Sequence, residues 1–345
     1  MRSGTYVIYR SEDFYGSDSA YVRDEPRGDD PHGGDLHDGD LHDGGDNIAV
    51  TGENMTGVSS KADDHKSNVD RTRMNVTSTG DGTAGREFLP GTILARTVRK
   101  VLQDYEDRIL VQSPGRGCHE LREEIRDYLA RSRGFDVRTK QIVIGSGAEY
   151  LYGMIVQMLG RNRIFALEDP SYKKILQVYK AMGAKCELLA MGRSGIRGDA
   201  LKKSGASVLH VTPYNSYPSG ITADISKKLE YINWAAGRNG IIIEDNYDSE
   251  LSVMRKPEEA IFTMTDEVKV IYINTFSKTI APSVRVGYMI MPECLVDDFE
   301  EKLGFYACTV PVLDQLVLAE LIRCGDFERH INRVRRRRRA ALKEM

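Results

Sequence analysis

The sequence has few cysteines and no long apolar run, and each shortage argues against a class of protein. Its five cysteines form no CxxC pair and show no spacing typical of metal ligands: Cys118, Cys186, Cys294, Cys308 and Cys324. We therefore expect free thiols, as in cytoplasmic proteins. No stretch approaches the roughly 18 apolar residues of a membrane span, and the first residues lack the apolar core of a signal peptide. These features predict a cytoplasmic protein without membrane contact.

An excess of charge is also lacking. The formal net charge is −3 over 345 residues, which gives no overall attraction to nucleic acid or to an anionic membrane. The densest basic run, RVRRRRR at Arg333 to Arg339, lies between segments with a helical pattern. We interpret it as a solvated or salt-bridged helix face, with nucleic-acid contact as the alternative.

Large apolar residues are scarce near the start of the chain. Residues 9–72 are rich in Asp, Gly, Ser and His and cannot bury enough surface to offset their ordering entropy, which predicts a disordered linker. A tandem GDLHD repeat in this region spaces His32, His37 and His42 five residues apart. Metal binding is an alternative there, but such repeats are more often solvated tethers, so we predict no metal site.

From residue 73 onward, short apolar runs alternate with amphipathic segments. This alternation is typical of βαβ units and predicts an α/β fold, with a mostly parallel seven-stranded sheet and helices on both faces. The predicted strands are 141–144, 163–167, 185–189, 207–211, 240–244, 268–274 and 286–291. The predicted helices are 94–105, 119–132, 148–159, 172–182, 225–236, 312–323 and 327 to the end.

Acidic and aromatic residues follow one predicted strand directly, in IIIEDNYDSEL. Ligands of open parallel sheets bind beyond the carboxyl ends of the strands. Asp245 and Tyr247 would lie there on one side, because they are two residues apart. Alternatively, Asp245 caps a helix and Tyr247 is an ordinary loop residue.

A lysine follows the next strand, in NTFSKTIAPSVRVGY. Lys278 stands between hydroxyl residues and suits Schiff-base chemistry. Arg285, seven residues later, offers a rigid fork for a phosphate dianion. A solvated loop is the alternative, but it leaves Ser277, Pro282 and the resumed strand unexplained.

The segment QIVIGSGAEYLYGMI has the pattern of a strand, a glycine turn and a helix start. Backbone N–H groups at such a helix start bind phosphate readily. The glycine turn alone is equally consistent with a tight connection. Its position before the acid and the lysine makes it a candidate second half of a phosphate cup with Arg285.

Six segments carry a family resemblance through their order and spacing: SPGRGCHELREEIRDYL, GSGAEYL, EDPSYKK, TPYNSYPSG, IIEDNYDSE and NTFSKTIAPSVRVGY. From about residue 75 to the end, the chain resembles fold-type-I enzymes that use pyridoxal 5'-phosphate (PLP). It resembles more closely the aminotransferase-like domain of MocR-type regulators of the GntR superfamily. The resemblance implies PLP as the cofactor and a homodimer with SPGRGCHELREEI at its interface.

The resemblance also implies a role for each site residue. Lys278 would carry the cofactor as a Schiff base, Asp245 would pair with the pyridine nitrogen, and Tyr247 would donate to the ring's 3' oxygen. Tyr172, in EDPSY, would stack on the cofactor face, although it alternatively only begins a helix. The phosphate would be held by Ser146, Gly147, Ala148, Ser277 and Arg285.

One motif departs from the family pattern. Tyr217 precedes Pro218, where many aminotransferases carry an Asn that binds the 3' oxygen. MocR-type domains often have an aromatic residue there, preceded by His-Gln, whereas this chain has Asn215 and Ser216. We include Tyr217 in the predicted cofactor site.

The ends of the chain suggest a fragment of a longer protein. RSGTYV, residues 2–7, resembles the last strand of a winged helix. We predict a wing remnant at 1–8, the linker at 9–72, a large PLP-binding domain at 73–291 and the start of a small domain at 292–345. The resemblance implies that the arginine for the substrate carboxylate lies beyond Met345.

Two functions are consistent with these residues. The first is an aminotransferase that moves an amino group between an amino acid and a 2-oxo acid. The second is an effector domain that senses PLP or an amino acid for a transcription regulator and turns over little substrate. In this case DNA is contacted only through a winged-helix domain missing from this chain. A relic without cofactor is disfavoured, because Lys278, Asp245, Tyr247 and Arg285 are all present.

Overall fold

The computed structural model describes residues 87–254 and 259–344. These residues belong to one compact unit, Met74–Met345. The predicted linker, its histidine repeat and the predicted wing remnant lie outside the described residues. The predicted boundary at residue 292 remains a prediction.

Seven strands form a single sheet. They are β1 (Ile142–Gly145), β2 (Ile164–Asp169), β3 (Lys185–Ala190), β4 (Val208–Val211), β5 (Ile241–Asp245), β6 (Lys269–Thr275) and β7 (Gly287–Ile290). The order is β1-β7-β6-β5-β4-β2-β3, and all pairs are parallel except those that β7 makes with β1 and β6. The prediction of a mostly parallel seven-stranded sheet is confirmed.

Ten α-helices occur in the described ranges: α1 (Gly91–Tyr105), α2 (His119–Arg133), α3 (Ala148–Leu159), α4 (Lys173–Ala181), α5 (Gly198–Lys203), α6 (Ile225–Ala236), α7 (Ile261–Met264), α8 (Val296–Leu303), α9 (Val312–Arg323) and α10 (Asp326–Glu344). The seven predicted helices are confirmed. The sequence analysis missed α5, α7 and α8, which are the shortest and span fewer residues than the window over which a helical period can be recognised. Within these ranges, none of the helices combines the length and the apolarity that crossing a membrane requires.

The central strand β5 shows why the sheet is covered on both faces. Ile241 and Ile243 pack in one core cluster and Ile242 in another, because successive side chains of a strand point to opposite faces. Glu244 in the same strand is buried, and its carboxylate accepts hydrogen bonds of 2.9 Å from the N–H groups of Ile261 and Phe262. This carboxylate therefore holds the start of α7.

The carboxyl ends of six strands meet at one edge of the sheet. β2 to β6 run parallel, and β1 shares their direction because both it and β6 are antiparallel to β7. The glycine turn after β1, Asp245 at the end of β5 and the lysine segment after β6 consequently lie at the same edge. The topology places the three predicted parts of the site together.

Candidate active site

A cavity of about 370 Å³ lies at this edge of the sheet. Its volume is in the range of small-molecule sites. Eight of the ten predicted site residues line it: Ala148, Tyr172, Tyr217, Asp245, Tyr247, Ser277, Lys278 and Arg285. The glycine turn, the acid and the lysine therefore contribute to one space.

The other two predicted residues lie beside the cavity. Gly147 has a φ of +90°, and a Cβ there would stand 2.8 Å from Nη2 of Arg285. Only glycine accepts this conformation and this approach without strain. The Ser146 hydroxyl hydrogen-bonds that of Thr309, and Ser146 lines a neighbouring cavity that also reaches Arg285. Ser146 thus adjoins the predicted phosphate arginine without lining the main cavity.

Asp245 is the buried acid of the site, with 3% of its surface exposed. Tyr152, one turn into α3, donates a hydrogen bond to Oδ2 of Asp245. Nε2 of His210 lies 3.8 Å from the same oxygen. Oδ1 of Asp245 and Nε2 of His210 have no hydrogen-bond partner in the part of the chain that the structure describes. Asp245 lines the cavity, so a buried oxygen without a partner belongs to its wall.

The sequence analysis did not single out Tyr152 or His210. The Tyr179 hydroxyl lies 2.7 Å from Nδ1 of His210, so Oδ2 of Asp245 is flanked by Tyr152 and by a histidine that Tyr179 contacts. Burial raises the pKa of Tyr152 and of Tyr179 well above the usual value. The available signal was a polar residue inside the apolar run of β4, at His210.

Lys278 is exposed to the cavity, and its neighbours are anchored. The Ser277 hydroxyl donates to the carbonyl of Val284 over 2.6 Å. The carbonyl of Thr279 lies 2.8 Å from Nε2 of His330, a residue of α10 whose pKa is lowered by burial. The segment is fixed on both sides of the lysine, while the amine itself stays accessible.

Arg285 is shared with a carboxylate that the sequence analysis did not assign. Glu149, in the first turn of α3, accepts a hydrogen bond from Nη2 of Arg285 and another, of 3.2 Å, from Lys174. Burial opposes ionisation of Glu149, but the donors outweigh it and lower the pKa of this carboxyl. The Arg285 side chain is 52% exposed, so its remaining donors can reach a ligand phosphate.

Three tyrosines surround the opening of the cavity. The Tyr247 hydroxyl donates to the backbone carbonyl of Asn215 over 2.8 Å, and burial raises the pKa of Tyr247. The rings of Tyr172 and Tyr217 meet edge to face, with centroids 6.3 Å apart. Tyr217 is 60% exposed and can change position without disturbing the core.

A second buried carboxylate supports the segment that carries Tyr217. Glu168 accepts hydrogen bonds from the Ser216 hydroxyl at 2.6 Å and from the N–H of Thr212 at 3.2 Å. Burial raises the pKa of Glu168 to about 7. The sequence analysis missed this residue, although it opens the EDPSY motif.

The groups around the cavity fit PLP. A buried carboxylate oxygen without a partner suits a protonated ring nitrogen, and an accessible amine suits an aldehyde. Gly147 leaves room at the start of α3 beside the arginine fork, which suits a phosphate.

A family model described as aminotransferase class I and II matches residues 90–344. The chain belongs to this family. PLP is the cofactor that the family implies, which confirms the predicted cofactor. The structural relatives of this aminotransferase-family chain confirm the predicted fold-type-I class.

Two curated relatives are named as regulators. The chain is 30% identical over 266 residues to "Uncharacterized HTH-type transcriptional regulator YdeL" of Bacillus subtilis (strain 168), a match that covers 76% of the chain and 58% of that protein. It is 28% identical over 221 residues to "Probable rhizopine catabolism regulatory protein MocR" of Rhizobium meliloti, with 64% and 45% covered. The aminotransferase-family chain spans less than two thirds of either relative. These matches confirm the resemblance to MocR-type regulators.

One of the solved structures with a similar fold is that of an aminotransferase. It is LysN, the α-aminoadipate aminotransferase of Thermus thermophilus, complexed with N-(5'-phosphopyridoxyl)-L-leucine. The two chains superpose with a TM-score of 0.65 at 25% identity, and the match covers 73% of this chain and 65% of LysN.

Proposed function

We propose that the protein binds PLP through Lys278 and transfers an amino group between an amino acid and a 2-oxo acid. One observation carries the proposal. The accessible amine of Lys278 and the buried, half-partnered carboxylate of Asp245 line the same cavity, together with Arg285. An amine, an acid and a phosphate fork in one space are the groups that this chemistry requires.

The proposal assigns most of the cavity to holding the cofactor. Arg285, Ser277 and the start of α3 at Ser146, Gly147 and Ala148 bind the phosphate. Tyr172 and Tyr217 contact the ring, and the Tyr247 hydroxyl turns its single proton from the carbonyl of Asn215 to the 3' oxygen. The rigid fork of Arg285 gives the phosphate a fixed direction, because two of its N–H groups can donate in parallel.

The catalytic roles fall to three residues. When bound, PLP supplies a sink for the electrons that are released as the substrate loses its Cα proton. Lys278 would hold the cofactor and, when displaced by the incoming amine, would move the proton between the substrate Cα and C4' of the cofactor. The carboxylate of Asp245 would pair with a protonated ring nitrogen, and Tyr247 would stabilise negative charge on the ring oxygen.

A second candidate function is an effector domain of a transcription regulator. The names of YdeL and MocR favour it, and so do the segment RSGTYV and the linker composition. In this version Lys278 anchors a sensor's cofactor and the chain turns over little substrate.

We propose further that the protein acts in the cytoplasm as a homodimer. The dimer is supported by apolar side chains beside the predicted interface segment SPGRGCHELREEI. Leu110 and Val111, which lie just before this segment, are both exposed. A Cβ on Gly115 would stand 2.7 Å from the carbonyl oxygen of Tyr306, next to the exposed Phe305. Exposed apolar residues that lie together are typical of interfaces. The five free thiols support the cytoplasm.

The decisive experiment combines a spectrum with turnover. The chain mixed with PLP is expected to gain a visible absorbance band that Lys278→Ala abolishes. Lys174→Ala is the matched control, because Lys174 is a second lysine beside the same cavity, where it pairs with Glu149. This variant is expected to keep the band, since the Schiff base forms on Lys278. Amino acids are then added, and amino transfer to a 2-oxo acid is measured. A band without turnover of any common amino acid would reject the enzyme and favour the sensor.

A further inference from the structure

Helix α10 contacts the segment that carries Lys278 on both sides of the lysine. The ring of Phe327 packs edge to face against that of Phe276, with centroids 5.5 Å apart. Nε2 of His330 lies 2.8 Å from the backbone carbonyl oxygen of Thr279. Phe327 and His330 are three residues apart and therefore lie on one face of the helix. An apolar contact before the lysine and a polar contact after it thus join the segment to this face.

The polar contact defines the protonation state of the histidine. A carbonyl oxygen only accepts hydrogen bonds, so Nε2 of His330 carries the proton that it donates to Thr279. Nη2 of Arg333 lies 2.7 Å from Nδ1 of the same ring. A guanidinium group only donates, so Nδ1 is the acceptor. His330 is consequently neutral and in a single tautomer, and burial lowers its pKa in agreement with this state.

The hydrogen bond between His330 and Thr279 is shielded from water. His330 is 2% exposed and Thr279 is 1% exposed. The local bonds of the segment shape its turn without attaching it to the helix: the N–H of Ile280 and the hydroxyl of Thr279 both donate to the carbonyl of Phe276, at 2.8 and 3.3 Å. Without His330, the Thr279 carbonyl would be buried without this donor, and the segment would have to move to find another.

We propose that His330 is a positioning residue for Lys278 and acts through the carbonyl of Thr279. The inference rests on the proposed function, because the amine of Lys278 has to reach the aldehyde of PLP. Thr279 directly follows the lysine, so an anchored carbonyl there limits the movement of the backbone from which the Lys278 side chain extends. A reacting group that is misplaced by about 1 Å can react roughly 100-fold more slowly.

Two substitutions of His330 separate its two hydrogen bonds. His330→Gln places an N–H at about the position of Nε2, so it can still donate to Thr279 but gives up the contact with Arg333. His330→Asn places its amide at about the position of Nδ1, so it can accept from Arg333 but does not reach Thr279. Each variant loses one of the two bonds, and urea unfolding of the ligand-free chains is expected to give similar midpoints.

The first measurement is hydrogen exchange of the ligand-free chain, followed by mass spectrometry in peptides that cover residues 276–284. Exchange there is expected to be about threefold faster in His330→Asn than in the wild type, and unchanged in His330→Gln. The second measurement is the rate at which the visible band forms after mixing with PLP. This rate is expected to fall by about tenfold in His330→Asn and by less than about twofold in His330→Gln.

Arg333→Met is the matched control, because it removes the donor to Nδ1 and leaves His330 to donate to Thr279. Its exchange and its rate of band formation are expected to match the wild type. The wild type itself gives a test that does not require a folded variant. In NMR spectra of the ligand-free chain near neutral pH, the ring of His330 is expected to carry its proton on Nε2 alone.

The inference is overturned if His330→Asn and His330→Gln exchange and react alike, because the bond to Thr279 would then make no difference. It is also overturned if Nδ1 carries the proton in the wild type, or if Arg333→Met slows band formation as much as His330→Asn does. Failure of the proposed function gives a different result. The wild-type chain would then show no visible band with PLP, which rejects a role of His330 toward the cofactor even if His330→Asn still speeds exchange.

Discussion

Tyr152 donates a hydrogen bond to one carboxylate oxygen of Asp245 and leaves the other without a partner among the described residues. The bonded oxygen fixes the side chain, and the second oxygen remains available to a ligand. Burial and the hydrogen bond from Tyr152 therefore restrict the rotation of the Asp245 side chain. One oxygen of Asp245 thus contributes to the stability of the fold, and the other is left for a role in the chemistry of the site.

Asp245→Ala is expected to impair chemistry more than cofactor retention. Loss of the charged partner of the ring nitrogen should slow the half-reaction with an amino acid by about 100-fold. The dissociation constant for PLP should change by less than about tenfold, because the phosphate and Lys278 still hold the cofactor. Absorbance titration and single-turnover kinetics measure the two effects.

Asp199→Ala is the control for this change, because Asp199 is exposed and pairs with Arg197 two residues away. Both its binding and its rate should match the wild type. Equal losses of binding and rate in Asp245→Ala would contradict the assigned role.

Tyr152→Phe is expected to destabilise the protein. The substitution leaves Oδ2 of Asp245 buried without its donor, which costs about 1–3 kcal/mol of unfolding free energy. Urea unfolding of the ligand-free chain measures this difference. Tyr306→Phe serves as the control, because Tyr306 is a partly exposed tyrosine outside the cavity, and should change the unfolding free energy by less than about 0.5 kcal/mol. Identical values for the two variants would show that the Tyr152 bond contributes nothing.

The sheet could be predicted from the sequence because its strands are short apolar runs between turn residues. All seven strand predictions agree with the structure to within two residues. Helices α5, α7 and α8 could not be predicted in this way. The four residues of α7 form where Glu244 of β5 accepts their first N–H groups, and this contact joins residues 17 apart in the chain.

The site was predictable where its residues sit in motifs at strand ends, as Asp245, Lys278 and Arg285 do. Tyr152 was not, because its role depends on a hydrogen bond to a residue 93 positions away. Ser146 was predicted from its motif, but it does not line the main cavity. It belongs to the glycine turn, but its hydroxyl bonds Thr309 and faces a neighbouring cavity, which local spacing does not indicate.

Glu168 is expected to make stability depend on pH. Its pKa is raised by burial to about 7 from 4.5, so the folded protein binds its proton more tightly than the unfolded chain. The unfolding free energy contributed by this group is therefore fully present below about pH 4.5 and falls as the pH rises to about 7. The full difference is about 3 kcal/mol.

The measurement is urea unfolding of the wild type and Glu168→Gln between pH 4.5 and 8. The glutamine carbonyl can still accept one hydrogen bond, but the side chain does not ionise. The wild type should lose stability relative to the variant as the pH rises. Glu301→Gln, at an exposed position, should follow the wild type. Parallel pH profiles for the wild type and Glu168→Gln would exclude the effect.

Glu149→Gln is expected to tighten PLP binding by about tenfold. The Glu149 carboxylate takes a donor of Arg285 and repels a phosphate dianion nearby, and a tenfold change corresponds to about 1.4 kcal/mol of this repulsion. Pyridoxal without the phosphate should bind equally well to the wild type and the variant. Equilibrium absorbance titrations with both compounds measure the difference, which should shrink in high salt because exposed charges are screened.

Glu293→Gln is the matched control, because Glu293 also pairs with one arginine and one lysine, Arg138 and Lys140. It follows β7, whose direction places it at the opposite edge of the sheet, so PLP affinity should not change. A uniform gain for PLP and pyridoxal in Glu149→Gln would show that the carboxylate acts on the ring or on stability. An unchanged affinity for PLP would mean that Arg285 serves the phosphate and Glu149 together, because its fork has donors for both.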